Sequence, residues 1–261
     1  MLDHNPPFAP AALPPGPVSK REFAEERLRK ALVTCEVLPG EIVAEQSLMT
    51  RFGLDRAGVR AGLFKLEAAG FVEALPRHGW RARPITGATA GEVIAARRTL
   101  EPDLAGVAGA DVARVADLAE LGAALGRRAE PNAREAAATA DRQLLDALAS
   151  RLGPLRRRWL GEAWDHAERL ARTLARSGAV IEIADRRPLA AAIAAHDAAA
   201  ARRQILKAVA GFERSVLAAL AAHDGAISPP PSPSSRRKGA ASAQTATTTK
   251  GASAWSPSRD V

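Results

Sequence analysis

One cysteine, Cys35, stands in 261 residues. A single thiol excludes an intrachain disulfide and a cysteine-based zinc site, and it fits a reducing compartment. The expected role of Cys35 is that of a small buried hydrophobe. Aromatic residues make up only 4% of the chain, and no run of about 18 apolar residues is present, so no segment is expected to span a membrane. The opening MLDHNPPFAPAALPPGP lacks a basic region ahead of an apolar core, which argues against a secretion signal and for a cytoplasmic protein. Catalytic signatures are missing as well. There is no Ser-His-Asp order, no HExxH, no glycine-rich phosphate loop and no cysteine nucleophile. An all-helical enzyme using Asp141, Glu101 or His166 for acid–base chemistry therefore has no supporting motif, and the chain is expected not to be an enzyme.

What is present is a globular composition, 47% hydrophobic, with a formal net charge of +8 and a pI near 10.6. The length suggests two domains of ordinary size. The charge keeps nucleic acid, anionic membrane and acidic ligands open as partners, so its distribution has to choose among them. Residues 19–86 hold 12 basic and 9 acidic side chains, residues 87–224 hold 20 and 18, and residues 225–261 hold 5 and 1. The excess sits in the first folded region and in the tail. Residues 1–18 and 225–261 are dominated by Pro, Ser, Ala and Thr and are expected to be disordered. The SRRK cluster of the tail reads as a solvated charge run.

Helix dominates between these ends. Ser19 with Glu22 three residues on is a capping-box pattern, opening a helix whose apolar stripe includes Phe23, Leu28, Ala31 and Leu32. VLPGE closes it. AEQSLMTRFG predicts a short second helix ending at Gly53, and Asp55 caps a third that runs to about Ala69 with Gly70 as its stop. FVEAL and GWRARPI alternate around PRHG as two short strands on a tight turn do. Helix, helix, turn, helix, hairpin is the order of a winged helix-turn-helix over residues 19–86. From Thr89 onward only helical periodicity is found, in segments at about 89–108, 110–129, 132–151, 153–177, 187–196 and 198–223, with breaks short enough to predict antiparallel neighbours in an all-α bundle.

In the third helix Val59, Leu63 and Leu66 follow core spacing. Arg56 and Arg60, also four apart, project from a neighbouring face near the helix N-terminus, the end that a recognition helix sets against the major groove. Gln46 of the second helix joins them as a candidate contact. The wing tip Arg77, His78 and Gly79 has the chemistry for backbone or minor-groove contact, with glycine allowing close approach. Double-stranded DNA is thus the expected partner. Gly58 and Gly62 each cost a helix about 1 kcal/mol relative to alanine, so a soft recognition helix is expected.

The span LPGEIVAEQSLMTRFGLDRAGVRAGLFKLEAAGFVEALPRHGWRARPI resembles the DNA-binding domain of the GntR family of bacterial transcription regulators, and EVIAARRTLEPDLAGVAG resembles the first helix of its FCD-type effector domain. The resemblance covers about residues 20–223. It implies that Arg56 and Arg60 contact an operator, that His78 and Gly79 reach the adjacent groove, and that the protein is a homodimer regulated by a small molecule bound in residues 87–224. FCD domains generally hold a divalent metal with one Asp and three His. Here the matching positions are Asp141, Leu145, Arg186 and Ala208. One ligand of four remains, so no metal or other cofactor is expected.

Spacing alone puts Asp141 on one helical face with Leu145, Leu148 and Leu152, and Arg186 with Leu189 and Ile193. An acid and a base inside an apolar bundle are expected to meet each other, a ligand or other polar groups. The expected effector is a small anion, an organic acid, contacting Arg97, Asp141, Arg186 and His166. Arg97 is included because it matches an arginine that faces the effector pocket in the family. His166 aligns with Trp159, Ala163 and Leu170 and reads either as a pocket residue or as a satisfied core histidine, and Trp159 and Trp164 are expected to pack the bundle. The alternative is a degenerate DNA-binding regulator that needs no effector.

Overall fold

The computed structural model describes residues 19–128 and 130–222, all within one compact unit. The proline-rich start and the basic tail, expected to lack a fold, lie outside the described residues. Helix α1, Lys20–Val33, opens on the full capping box: Ser19 Oγ accepts from the Glu22 N–H at 3.2 Å, and Glu22 accepts from the Ser19 N–H at 3.0 Å. Ala24, Leu28, Ala31 and Leu32 form its buried stripe, whereas Phe23 is exposed. The expectation that Phe23 packs inward is corrected. One residue before Ala24, it is turned by about 100° off the stripe, and the stripe is set by the helix α1 meets.

That helix is α3, Arg56–Ala68, reached through α2, Glu45–Phe52, and the left-handed Gly53. Asp55 caps α3 by accepting from the Gly58 N–H at 2.6 Å. Val59, Leu63 and Leu66 are buried as their spacing predicts. The two glycines of α3 have a reason that composition does not show. A Cβ on Gly58 would stand 2.8 Å from the Ala24 Cβ, and one on Gly62 would stand 3.1 Å from Leu28 Cδ1 and 3.2 Å from Glu25 Cα. They let α1 and α3 cross closely, so the helix expected to be soft is held by the tightness of this contact.

Strands β2, Val72–Leu75, and β3, Gly79–Ala82, pair antiparallel as the alternation predicts. A third strand, β1, Ile42–Val43, lies along the other edge of β3, giving the order β1-β3-β2. Two residues are too few to show alternation, so β1, directly after VLPGE, had no readable signal. The result is a winged helix-turn-helix around Leu28, Leu48, Leu63, Leu66 and Phe71.

After Thr86 caps it, α4, Gly87–Leu100, runs into a 3₁₀ turn, Glu101–Gly106. Pro102 removes a backbone donor at this point, so the single helix expected over 89–108 divides. Helices α5 (Val112–Gly126), α6 (Pro131–Ala149), α7 (Pro154–Arg176), α8 (Arg187–Ala194) and α9 (Ala198–Ala222) complete the bundle. One apolar cluster includes Leu144, Leu148, Leu160, Trp164 and Ile205, and a second includes Ile94, Leu170, Leu174, Phe212 and Val216. Trp164 is buried, but Trp159 is 46% exposed. The expectation for Trp159 is corrected: it falls one residue before Leu160, which takes the inward position. Among the described residues no helix is long and apolar enough to cross a membrane.

Candidate DNA interface and effector cavity

At the start of α3 the apolar side is sealed and the polar side is open. Arg56, the first helical residue, and Arg60, one turn on, are both exposed, as is Gln46 on α2. Arg60 Nε stands 3.9 Å from the Glu45 carboxylate. That distance, with Arg60 63% exposed, leaves the guanidinium loosely tethered and accessible. The turn between β2 and β3 presents Arg77 and His78, both exposed. His78 Nδ1 is 2.8 Å from Pro76 O. A carbonyl only accepts, so Nδ1 carries the proton and Nε2 is left to meet a donor or, when protonated, an acceptor.

Gly79, also expected to serve close approach, has a local cause. Its φ is +91° and a Cβ there would stand 2.6 Å from Val43 O. Glycine is needed for β1 to lie against β3, whatever else the wing touches.

The second site is a cavity of about 300 Å³ between α6, α7, α9 and the irregular segment after α7. Arg97, Asp141, Leu145, Arg186 and Ala208 all line it. Positions far apart in sequence are thus gathered around one space. Arg186 Nε donates to Asp141 Oδ1 at 2.6 Å and Arg186 Nη2 to Oδ2 at 3.3 Å, a bidentate pair in which the arginine side chain is only 5% exposed. Burial works against the Arg186 charge, yet Asp141, and after it Glu101, outweigh burial and raise its pKa. Arg97 also lines the cavity, lies over the Phe212 ring at 4.3 Å and donates from Nε to Glu101 Oε1 at 2.5 Å. Glu101, fully buried, also accepts from Trp164 Nε1 at 3.0 Å. A carboxylate in a Pro-containing helix end gave no sign in sequence that it anchors the site.

A metal does not fit these residues. Both Asp141 oxygens are taken by a guanidinium, Leu145 and Ala208 have no lone pairs to give, and a cation would have to sit beside Arg186.

Sequence reasoning missed the more exposed cations of the cavity wall. Arg142 of α6 bridges Asp146 at 3.1 Å and Asp165 at 2.9 Å, and Arg172 of α7 bridges Glu168 at 2.9 Å and Glu135 at 3.0 Å. Their i, i+4 spacing to Asp146 and Glu168 was visible, but such pairs ordinarily decorate solvated helices. Arg134, Glu135, Glu168 and Glu182 line the cavity too, and its apolar surface comes from Ala138, Ala167, Ala171, Ile181, Ile183 and Phe212 among others.

His166, expected in this set, is elsewhere. Its ring stacks on Phe71 with centroids 4.0 Å apart, and Nε2 donates to Ala69 O at 2.9 Å. It belongs to the contact between α7 and the winged helix. The expectation that it lines the cavity is corrected: on α7 the cavity face is Trp164, Ala167, Glu168, Ala171 and Arg172, and His166 points the other way with Arg169. Burial, the largest influence, holds the His166 pKa below its ordinary value.

Residues 20–81 match the family described as bacterial regulatory proteins, gntR family. Among solved structures, Escherichia coli McbR/YncC aligns with a TM-score of 0.64 at 18% identity, over 77% of this chain and 99% of its own. A putative GntR transcriptional regulator from Rhodococcus sp. RHA1 aligns with a TM-score of 0.58 at 21% identity, over 76% and 98%. At these identities the likeness is one of fold, and it extends through the helical bundle. No curated protein sequence matches the chain.

Proposed function

We propose, from the match of residues 20–81 to the gntR family, that the chain is a DNA-binding transcription regulator that binds a pseudo-palindromic operator as a homodimer and answers to a small organic acid held in its helical bundle without a metal. In this proposal residues 19–86 bind the operator, and residues 87–224 bind the effector and form the dimer. The observation that carries DNA recognition is the division of α3: Val59, Leu63 and Leu66 are sealed in the core while Arg56 and Arg60 are exposed at the N-terminal end. Arginine at that end pairs bidentately with guanine or clamps phosphate. Gln46 supports α3 from α2, and Arg77, His78 and Gly79 reach the flanking backbone or groove. One winged helix reads few base pairs, and a symmetric protein matches a symmetric site, so two copies are required.

For the effector, the supporting observation is a cavity whose apolar surface is flanked by Arg97, Arg134, Arg142, Arg172 and Arg186, with Glu135, Asp141, Glu168 and Glu182 beside them. Arg97 and Arg186 supply the charge that a metal would otherwise bring, with Asp141 fixing Arg186. Arg142 and Arg172, 26% and 29% exposed, are the guanidiniums a ligand carboxylate reaches first, and their planar forks suit bidentate pairing.

The test of the DNA assignment is operator binding by Arg56→Ala and Arg60→Ala. Each bidentate contact is worth roughly 1–3 kcal/mol, so specific affinity should fall about ten- to a hundredfold with the fold intact. Unchanged specific affinity in both variants would overturn it. Footprinting should show two related half-sites. Gel-shift titration against a panel of mono- and dicarboxylates tests the effector. If no acid alters operator affinity, the regulator is effector-independent.

A further inference from the structure

Helix α7 has two working faces. One, through Trp164, Ala167, Glu168, Ala171 and Arg172, is a wall of the cavity. The other holds the winged helix: His166 stacks on Phe71 and bonds Ala69 O, and Arg169 donates to Arg83 O at 2.7 Å and to Phe71 O at 3.5 Å. Between the two faces stands Asp165, whose oxygens serve both sides. Its Oδ1 accepts from Arg142 Nη1 at 2.9 Å, and Arg142 lines the cavity. Its Oδ2 accepts from Arg29 Nη1 at 3.3 Å, and Arg29 is on α1 of the winged helix. The Asp165 side chain is only 16% exposed, so both interactions are shielded from water. Asp146 is a second acceptor for Arg142, at 3.1 Å, and Glu25 a second for Arg29, at 3.6 Å.

We propose that Asp165 is a shared acceptor through which the state of the cavity sets how firmly the winged helix is held on α7. This rests on the cavity's taking an anion. A carboxylate that engages Arg142 draws that guanidinium off Asp165. Asp165 then has one cation instead of two, and the full charge of the carboxylate acts on Arg29. The contact between α1 and α7 tightens. In the empty protein Arg142 competes with Arg29 and the contact is looser. Firm docking restricts the angles at which two recognition helices can be presented, so the cavity and the operator are linked in free energy through one element that both bias.

The test uses full-length protein without any ligand, so it does not depend on whether the cavity binds an acid. Deuterium uptake is followed in peptides covering residues 66–72 and 165–173, which exchange when the contact opens. Asp165→Asn, close in size, should speed uptake several-fold. Arg142→Gln, which imitates withdrawal of that guanidinium, should slow it, and the slowing should vanish in Arg142→Gln/Arg29→Gln. A purely structural role of Arg142 predicts the opposite, faster uptake that persists in the double variant. That result, or unchanged uptake in Asp165→Asn, overturns the proposal. The carboxylate panel reports separately on whether the cavity binds an acid.

Discussion

Asp141→Ala removes the only carboxylate among the described residues that touches the Arg186 guanidinium, a side chain just 5% exposed. Arg186 lines the cavity at this low exposure, its Nη1 lacks a hydrogen-bond partner among the described residues, and Glu101 is the next acid to act on it. Breaking a buried pair from one side costs about 3–5 kcal/mol, because the remaining charge is stranded. For a chain of this size each kcal/mol moves the melting temperature by about 2–4 °C, so a drop of about 6–20 °C is expected. The reverse deletion is gentler. Asp141 is 20% exposed and faces the cavity, so in Arg186→Met water can solvate the carboxylate. The double change Asp141→Leu/Arg186→Met should return most of the loss, since an apolar pair of similar volume replaces an ion pair at little net cost. Differential scanning fluorimetry on all three variants, with urea titration for the free energies, measures the order. An Asp141→Ala protein as stable as the parent, or a double variant no better than Asp141→Ala, would refute the claim that this largely buried pair is held by mutual charge compensation.

Gly58→Ala should destabilise the winged helix by about 1–3 kcal/mol despite alanine's better helix propensity, because its Cβ meets the Ala24 Cβ at 2.8 Å; a more stable protein in urea titration would show that α1 and α3 can part freely. Docking of the winged helix on α7 should weaken in acid. His166 is held neutral in the dock with its pKa lowered from 6.5, so its contribution is complete above about pH 6.5 and is lost as pH falls from there toward the lowered value. Deuterium uptake in residues 66–72 should rise over that window, and His166→Gln should flatten the rise. Elemental analysis of protein purified without chelator should find well under one equivalent of zinc, nickel or manganese. A full equivalent that Asp141→Ala removes would mean that other donors build a site.

Much of the fold was legible because its signals are local. Ser19 with Glu22, Asp55 before Arg56, and Gly53 and Gly70 after their helices are caps whose hydrogen bonds close within a few residues. The spacing of Val59, Leu63 and Leu66 follows from helix geometry alone. The exposed arginines of α3 were readable for the same reason: once the core face is known, the free face is known. The inward placement of Asp141 and Arg186 followed from two amphipathic patterns, whereas the choice of each other as partners, over a ligand or other polar groups, came from the packing.

What tertiary structure decided lies where the partner is remote. Gly58 and Gly62 look like defects in a helix until Ala24 and Leu28 come within a Cβ's reach of them. Strand β1 is two residues long and exists only because β3 offers it an edge. His166 and Arg169 form a polar stripe on α7 that local pattern assigns to solvent, or to whichever pocket is polar. The winged helix covers that stripe, and backbone carbonyls at Ala69, Phe71 and Arg83, which no side-chain pattern records, accept hydrogen bonds from it. A helix's periodicity states which residues share a face. What a face meets depends on the free energy of the whole chain packing at once.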